Sequence, residues 1–249
     1  MLDADFEVIC VDSDSNLCES ATRLLRNSEK FTALCGDIMN DRIIDEVMQK
    51  LGNHRNLKWV LINNASLRLK TDVISETKKS WQRQMDVIIG APFIWMQRFL
   101  DFAIKSKTSS GIVINVSSVA SQFATLESPS YHAGKAGLES LTRLFAVQAP
   151  ILGARMMVCS LRLGYILKEH NRNRFESIEN RQYSREVMAY LPSTSIQTDN
   201  DVAKLVLAIV TTESFLLNGS VLELDSGANK QDQWFLSQKV LRGQDDFEK

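Results

Sequence analysis

Tyr131 and Lys135 stand four residues apart in the run Tyr131-His-Ala-Gly-Lys135. On a helix that spacing turns both side chains to one face. An ammonium beside a phenol favours the phenolate. A tyrosine, which titrates at about 10 when free, needs such help to exchange protons near neutrality. Ser118 closes an apolar run 13 residues earlier. Its hydroxyl could bond the same substrate oxygen that Tyr131 protonates or deprotonates. By itself Tyr-x-x-x-Lys recurs by chance and describes a solvated helix pair just as well. The Ser117-Ser118 strand end ahead of it directs the reading towards acid–base chemistry.

The elements that must carry these residues alternate along the chain. Phe6–Val11 is a short apolar run stopped by Asp12 and reads as a buried strand. Ser13 or Asp14 can cap a helix over Ser15–Leu25. Phe31–Cys35 is a second strand. Asp41–Leu51 is a helix with Ile43, Ile44, Val47 and Met48 at helical spacing, and Lys58–Ile62 is a third strand. Ser80–Lys105 is predicted as a long helix bent near Pro92. Gly111–Val116 is a fourth strand, Ser117–Ser130 a loop, Tyr131–Val147 a helix and Arg155–Leu161 a fifth strand. Leu167–Leu191 is charged and irregular, Asn200–Val210 a helix and Ser220–Leu224 a sixth strand.

Continuous apolar strands alternating with helices indicate an α/β fold: a Rossmann-like, doubly wound, mostly parallel sheet flanked by helices. Residues 1–228 form one domain in this reading, and 229–249 a polar tail. Ligands of such sheets gather beyond the carboxyl ends of the strands. Asp12, Asp37, Asn63–Ser66, Ser117–Ser118 and Arg162–Ile166 all fall there.

Gly111-Ile-Val-Ile-Asn-Val-Ser-Ser118, followed by Tyr131-x-x-x-Lys135-Ala-Gly-Leu-x-Ser-Leu-Thr-Arg, resembles the short-chain dehydrogenase/reductase family. So do Asn63-Asn-Ala-Ser66, Asp37-Ile38 after a strand, Asp201-Val-Ala203 and Asn218-Gly-x-Val-Leu-x-Leu-Asp-Ser-Gly227, and the likeness covers about residues 5–228. The resemblance implies hydride transfer between a nicotinamide cofactor, NAD or NADP, and a carbonyl or alcohol carbon. Tyr131 would be the general acid/base, Lys135 would hold the cofactor ribose, and Ser118 would orient the substrate. Asp12 would bond the adenosine ribose hydroxyls and so favour NAD, since a carboxylate repels a 2′-phosphate; its alternative role is a helix cap, and the two can coexist. Asp37 and Ile38 would flank the adenine, Asn63 and Ala65 would line the cofactor groove, and Gly164 and Ile166 would contact the nicotinamide end. Homodimers or tetramers are implied too, through helices at Phe93–Lys105 and Tyr131–Val147, with Phe99, Leu100, Leu141, Leu144 and Phe145 supplying apolar area.

The pattern is incomplete. Members of the family open with a strand, a glycine-rich turn and a helix, whereas here the first glycine is Gly36 and no Gly-x-x-x-Gly-x-Gly occurs. The expectation is therefore a fold with the first strand and the glycine-rich turn missing. That turn supplies backbone N–H groups to a pyrophosphate, so tight dinucleotide binding lacks its anion site. The missing strand would lie between those at Phe6–Val11 and Lys58–Ile62. Its loss leaves two edges that must pair directly, be filled, or belong to a truncated reading frame. The family's active-site asparagine aligns with Ile88, and the Pro-Gly after the fifth strand is Leu163-Gly164. The alternative to an oxidoreductase is a degenerate, non-redox relative that binds dinucleotide poorly.

Composition narrows the field. The 249 residues carry a net charge of −1, with 44% hydrophobic and 24% charged residues, and no basic cluster suited to nucleic acid. Cys10, Cys18, Cys35 and Cys159 lack metal-ligand spacing, so no metal site is expected. Cys10, Cys35 and Cys159 sit in apolar runs and read as small buried hydrophobes. The N-terminus is not a signal peptide and no apolar stretch spans a membrane, which with reduced thiols suggests a cytoplasmic protein with a small-molecule substrate. The substrate pocket would be built from Ser66–Ile74, Gln122–Ser128 and Leu167–Leu191.

Overall fold

The apolar runs become strands and the amphipathic runs become helices, in the order β1 (Val8–Asp12), α1 (Ser15–Leu24), β2 (Phe31–Cys35), α2 (Asp41–Gly52), β3 (Lys58–Asn63), α3 (Lys78–Met85), α4 (Ala91–Ser106), β4 (Ser110–Ser118), α5 (Pro129–Ile151), β5 (Arg155–Leu163), α6 (Glu169–Glu176), α7 (Arg181–Tyr190), α8 (Asp199–Thr212) and β6 (Val221–Leu224). This computed structural model describes residues 1–249 apart from 3–4, 26, 53–57, 107–109, 178–180, 193–195, 213, 233, 235–236 and 238–249. The expected tail thus lies mostly outside the described residues. The strands form a pair, β1-β2, and a four-stranded sheet in the order β3-β4-β5-β6. Within the first, β1 runs parallel to β2 with Val8 opposite Phe31; within the second, β3 runs parallel to β4 with Asn63 opposite Asn115. Among the described residues β1 and β3 are not hydrogen-bonded to each other. The direct pairing of those two edges that the sequence left open is not formed among the described residues.

The described residues fall into two compact units: 1–160 with 214–221, and 161–213 with 222 onward. In the first, Trp59, Met96, Phe99, Val113, Phe145 and Met156 form a buried core, and Ile9, Val11 and Leu34 of the β1-β2 pair pack against it. The Trp59 and Phe99 rings meet with centroids 4.7 Å apart. Each such side chain removed from water stabilises the fold by roughly 1.5–3 kcal/mol. Two assignments need correction here. Cys10 and Cys35 are exposed, although Cys159 and Cys18 are buried. Side chains alternate along a strand, so with Ile9, Val11 and Leu34 turned to the core, Cys10 and Cys35 take the other face. Of the residues expected at a dimer interface, Phe99, Leu100 and Phe145 are buried in the chain's own core, while Leu144 is exposed.

The irregularity in the long helical run lies just before Pro92. Pro92 lacks an N–H, and its ring crowds the carbonyl four residues back, which is that of Ile88. A π turn over Asp86–Gly90 widens the ladder at that point, and the Ala91 N–H reaches back to the Asp86 carbonyl. Lys78–Ser106 taken together has the length and apolar composition of a membrane span. Its residues Trp95, Met96 and Phe99 are nevertheless buried in the core.

Helix α5 starts two residues earlier than expected and ends later. Ser128 caps it by accepting from the Tyr131 N–H, and Pro129 takes a first-turn position where no donor is needed. It also runs through Pro150, which leaves the Ala146 carbonyl without its helical donor. The side-chain amide of Asn218 fills that role at 2.9 Å.

In the second unit, Val187, Leu191 and Ala228 make a small core with Tyr165, Phe175, Tyr190 and Ile196 against it. Arg162 pairs with Glu223 at 3.2 Å. Asn229 and Gln231 bond Tyr190 at 3.0 and 2.7 Å, so the start of the expected tail is tied to α7.

Candidate active site

Tyr131 sits in the first turn of α5 and Lys135 one turn on, both buried. The Lys135 ammonium lies 5.6 Å from the centre of the Tyr131 ring and donates to the Val116 carbonyl of β4 at 2.7 Å. The shared helical face inferred from the spacing is therefore present. Ser118 ends β4, half-buried, and its hydroxyl accepts from the Ala120 N–H at 3.3 Å. The Ala120 side chain packs with Ile88 against Tyr131.

Ile88 occupies the π turn and is fully buried. Its branched side chain fills the space beside Tyr131 and above Gly134: a methyl group at Gly134 would come within 2.8 Å of Ile88 Cγ2. The apolar residue here is thus matched by a glycine in the Tyr-x-x-x-Lys segment.

Arg68, which no sequence motif singled out, reaches the reactive oxygen. Arg68 donates from Nη2 to the Tyr131 hydroxyl at 3.2 Å and pairs through Nη1 with Glu127 at 3.2 Å. Its guanidinium carbon lies 5.2 Å from the ring centre. Partial burial works against the Arg68 charge, but Tyr131 and Glu127 outweigh it and raise its pKa above the ordinary arginine value. The segment that carries Arg68 is fastened from below. Gln84, fully buried on α3, donates to the Leu67 carbonyl at 2.7 Å and accepts from Ser128 and Ser130 at 2.8 and 2.7 Å. Glu76 accepts from the Ser130 N–H at 2.9 Å and from its hydroxyl.

Glu139, buried one turn beyond Lys135, accepts from Ser117 at 2.7 Å and from Ser121 at 2.6 Å. It ties α5 to the end of β4. Its four-residue offset from Lys135 was the available sequence signal. Nothing local in the sequence marks Arg68, which reaches Tyr131 across 63 positions.

Asp12, Asp37, Ile38 and Asn63, expected along the cofactor groove, each bond other protein groups. Asp12 accepts from the Asp14 N–H at 2.9 Å, while Asp14 is the cap of α1; the capping alternative for Asp12 thus belongs to its neighbour. Asp37 accepts from the Met39 N–H at 2.8 Å, and the Ile38 carbonyl accepts from the Trp95 indole at 2.9 Å. Asn63 donates to Asn115 at 2.7 Å, and Asn115 in turn donates to Thr142 at 2.9 Å. Ala65 is exposed. Gly164 and Ile166 belong to the second unit. A side chain on Gly164 would strike Asp225 Cα at 2.8 Å, and Ile166 is buried. Among the described residues no cluster of His, Cys, Asp or Glu suits a metal ion.

A family model described as short chain dehydrogenase matches residues 1–179. An uncharacterized oxidoreductase of Schizosaccharomyces pombe is 29% identical over 184 residues, covering 74% of this chain and 67% of its own. Among solved structures, 4-hydroxyisoleucine dehydrogenase complexed with NADH superposes with a TM-score of 0.78 at 21% identity, over 93% of this chain and 91% of that one. ElxO with NADP bound gives a TM-score of 0.78 at 20% identity, over 92% and 91%.

Proposed function

The chain belongs to the short chain dehydrogenase family, and on that premise we propose that it moves a hydride between NAD(P) and a small carbonyl or alcohol, with Tyr131 as general acid/base. The observation that carries this reading is the Tyr131–Lys135 pair, with the ammonium 5.6 Å from the phenol ring. In the reducing direction the Tyr131 hydroxyl gives its proton to the carbonyl oxygen as the carbon gains the hydride; oxidation runs the same transfers backwards. Ser118 orients the substrate oxygen. A bound nicotinamide supplies or accepts the hydride.

The residues fit such a cofactor at its two riboses and not at its phosphates. Lys135 offers an ammonium to one ribose, and Asp12 at the end of β1 offers a carboxylate to the other. The relatives with NADH and with NADP bound leave the choice between the two open; the Asp12 carboxylate favours NAD. No Gly-x-x-x-Gly-x-Gly occurs in the 249 residues to cradle a pyrophosphate. Dinucleotide binding is therefore weak in this proposal. Ile88, buried where the family has asparagine, favours a second reading: a non-redox relative that has kept the fold. Exposed Phe93, Leu144, Val147 and Ile151 support pairing of two copies through α4 and α5.

Titration of NADH followed by its fluorescence, and turnover of a carbonyl panel followed by NAD(P)H absorbance, test these points together. The expected outcome is binding weaker than micromolar and slow turnover that Tyr131→Phe largely removes. Turnover unchanged by Tyr131→Phe rejects the acid/base role, and micromolar or tighter NADH binding rejects the weak-binding proposal.

A further inference from the structure

We propose that Arg68 is a specificity residue that selects substrates bearing a carboxylate one or two carbons from the reacting oxygen: 2- or 3-oxo acids and the matching hydroxy acids. The inference rests on the assignment of Tyr131 as acid/base and names the class of substrate for that site.

The geometry is that of a fork. One terminal nitrogen of Arg68 touches the Tyr131 hydroxyl and the other holds the Glu127 carboxylate, each at 3.2 Å. The two nitrogens are attached to the same carbon. An oxygen exchanging a proton with Tyr131 therefore lies beside one prong, and an anionic group held by the other prong is only a bond or two away. A carboxylate matches the planar guanidinium better than a neutral carbonyl and binds it more strongly. Glu127 stands where that carboxylate would sit. Its ion pair with Arg68 is partly solvated, the Arg68 side chain being 60% exposed, and pairs of this kind contribute little. A substrate acid can displace Glu127 without a large loss, whereas a neutral substrate gains less from Arg68.

Two further observations support a built site. Gln84 clamps the Leu67 carbonyl from the buried side, so Arg68 is carried by a fixed backbone. The guanidinium is itself held at both ends, by the Tyr131 hydroxyl and by Glu127.

The test is a binding titration of 2-oxobutyrate and 3-hydroxybutyrate, each against its amide, by ligand-observed NMR on the full chain. Glu127→Gln, which removes the internal competitor, is expected to bind at least one acid about tenfold more tightly than its amide, and adding Arg68→Met should abolish that preference. Arg68→Lys, which keeps charge without the fork, should retain only part of it. Equal binding of acid and amide, no binding of either acid, or a preference that survives Arg68→Met overturns the proposal. Thermal melting of each variant identifies any that fails to fold, and the Glu127→Gln comparison stands without Arg68→Met. The titration needs no turnover. Loss of the acid/base reading through Tyr131→Phe kinetics and loss of the carboxylate reading are therefore separate results.

Discussion

Gln84 donates to the Leu67 carbonyl at 2.7 Å, so a buried amide of α3 fixes the residue next to Arg68 from across the fold. The same side chain receives the Ser128 and Ser130 hydroxyls at the start of α5. One amide thus sets the spacing between the Arg68 segment and the turn that bears Tyr131. Gln84→Met keeps the volume and removes the polar atoms. The Leu67 carbonyl then loses its donor and the Ser128 hydroxyl its acceptor, while the Ser130 hydroxyl keeps Glu76. Each buried group left unsatisfied costs about 1–3 kcal/mol, so urea unfolding should show a loss of roughly 2–4 kcal/mol. Amide exchange at 66–70 should also rise. A loss under about 0.5 kcal/mol, the size of an ordinary surface change, would mean the clamp does not bear on the fold.

Gly134 and Ile88 form a matched pair. A methyl on Gly134 would come within 2.8 Å of Ile88 Cγ2 and 3.1 Å of its Cβ, both close to the backbone of the π turn and slow to yield. Overpacking of this kind costs about 1–3 kcal/mol, against a gain of up to about 1 kcal/mol in helix propensity. Gly134→Ala should therefore be destabilised on balance. The double variant with Ile88→Ala should recover part of the loss, giving a coupling of at least about 0.5 kcal/mol in a double-mutant cycle. Strict additivity of the two substitutions would remove the pairing.

The sequence carried the parts of the fold that rest on local periodicity. Every strand run proposed from apolar patterning is a strand, with ends shifted by at most two residues, and the four-residue spacing of Tyr131 and Lys135 translated directly into one helical face. What it missed depends on partners distant in the chain. The helix expected to end at Val147 runs on through Pro150, because Asn218 supplies the donor for Ala146 from 72 positions away. Pro92 looked like the bend itself, whereas the π turn before it absorbs the misfit. Cys10 and Cys35 looked buried because apolar runs were read as covered on both faces, but the β1-β2 pair has one face on the core. Arg68 lies in an irregular segment with no periodicity, and only the folded chain brings it to Tyr131.

The four cysteines should separate by environment. Cys35 and Cys10 are exposed, and Cys18 and Cys159 are buried. Burial raises the Cys10 thiol, helped by the Asp12 charge, and raises Cys159 to about 11. At pH 8, iodoacetamide followed by mass spectrometry should label Cys35 first, Cys10 more slowly, and Cys18 and Cys159 only after unfolding. The Cys159 shift also bears on stability. Its folded value lies above the 9.0 of an unperturbed thiol, so the folded state keeps its proton where the unfolded state has lost it. The stabilisation is complete below pH 9 and is lost as the pH rises through about 11. The loss amounts to roughly 2–3 kcal/mol for a shift of this size. Urea unfolding across this range should show that slope in the wild type and a shallower one in Cys159→Ala. Parallel slopes for the two proteins would assign the alkaline loss to other groups.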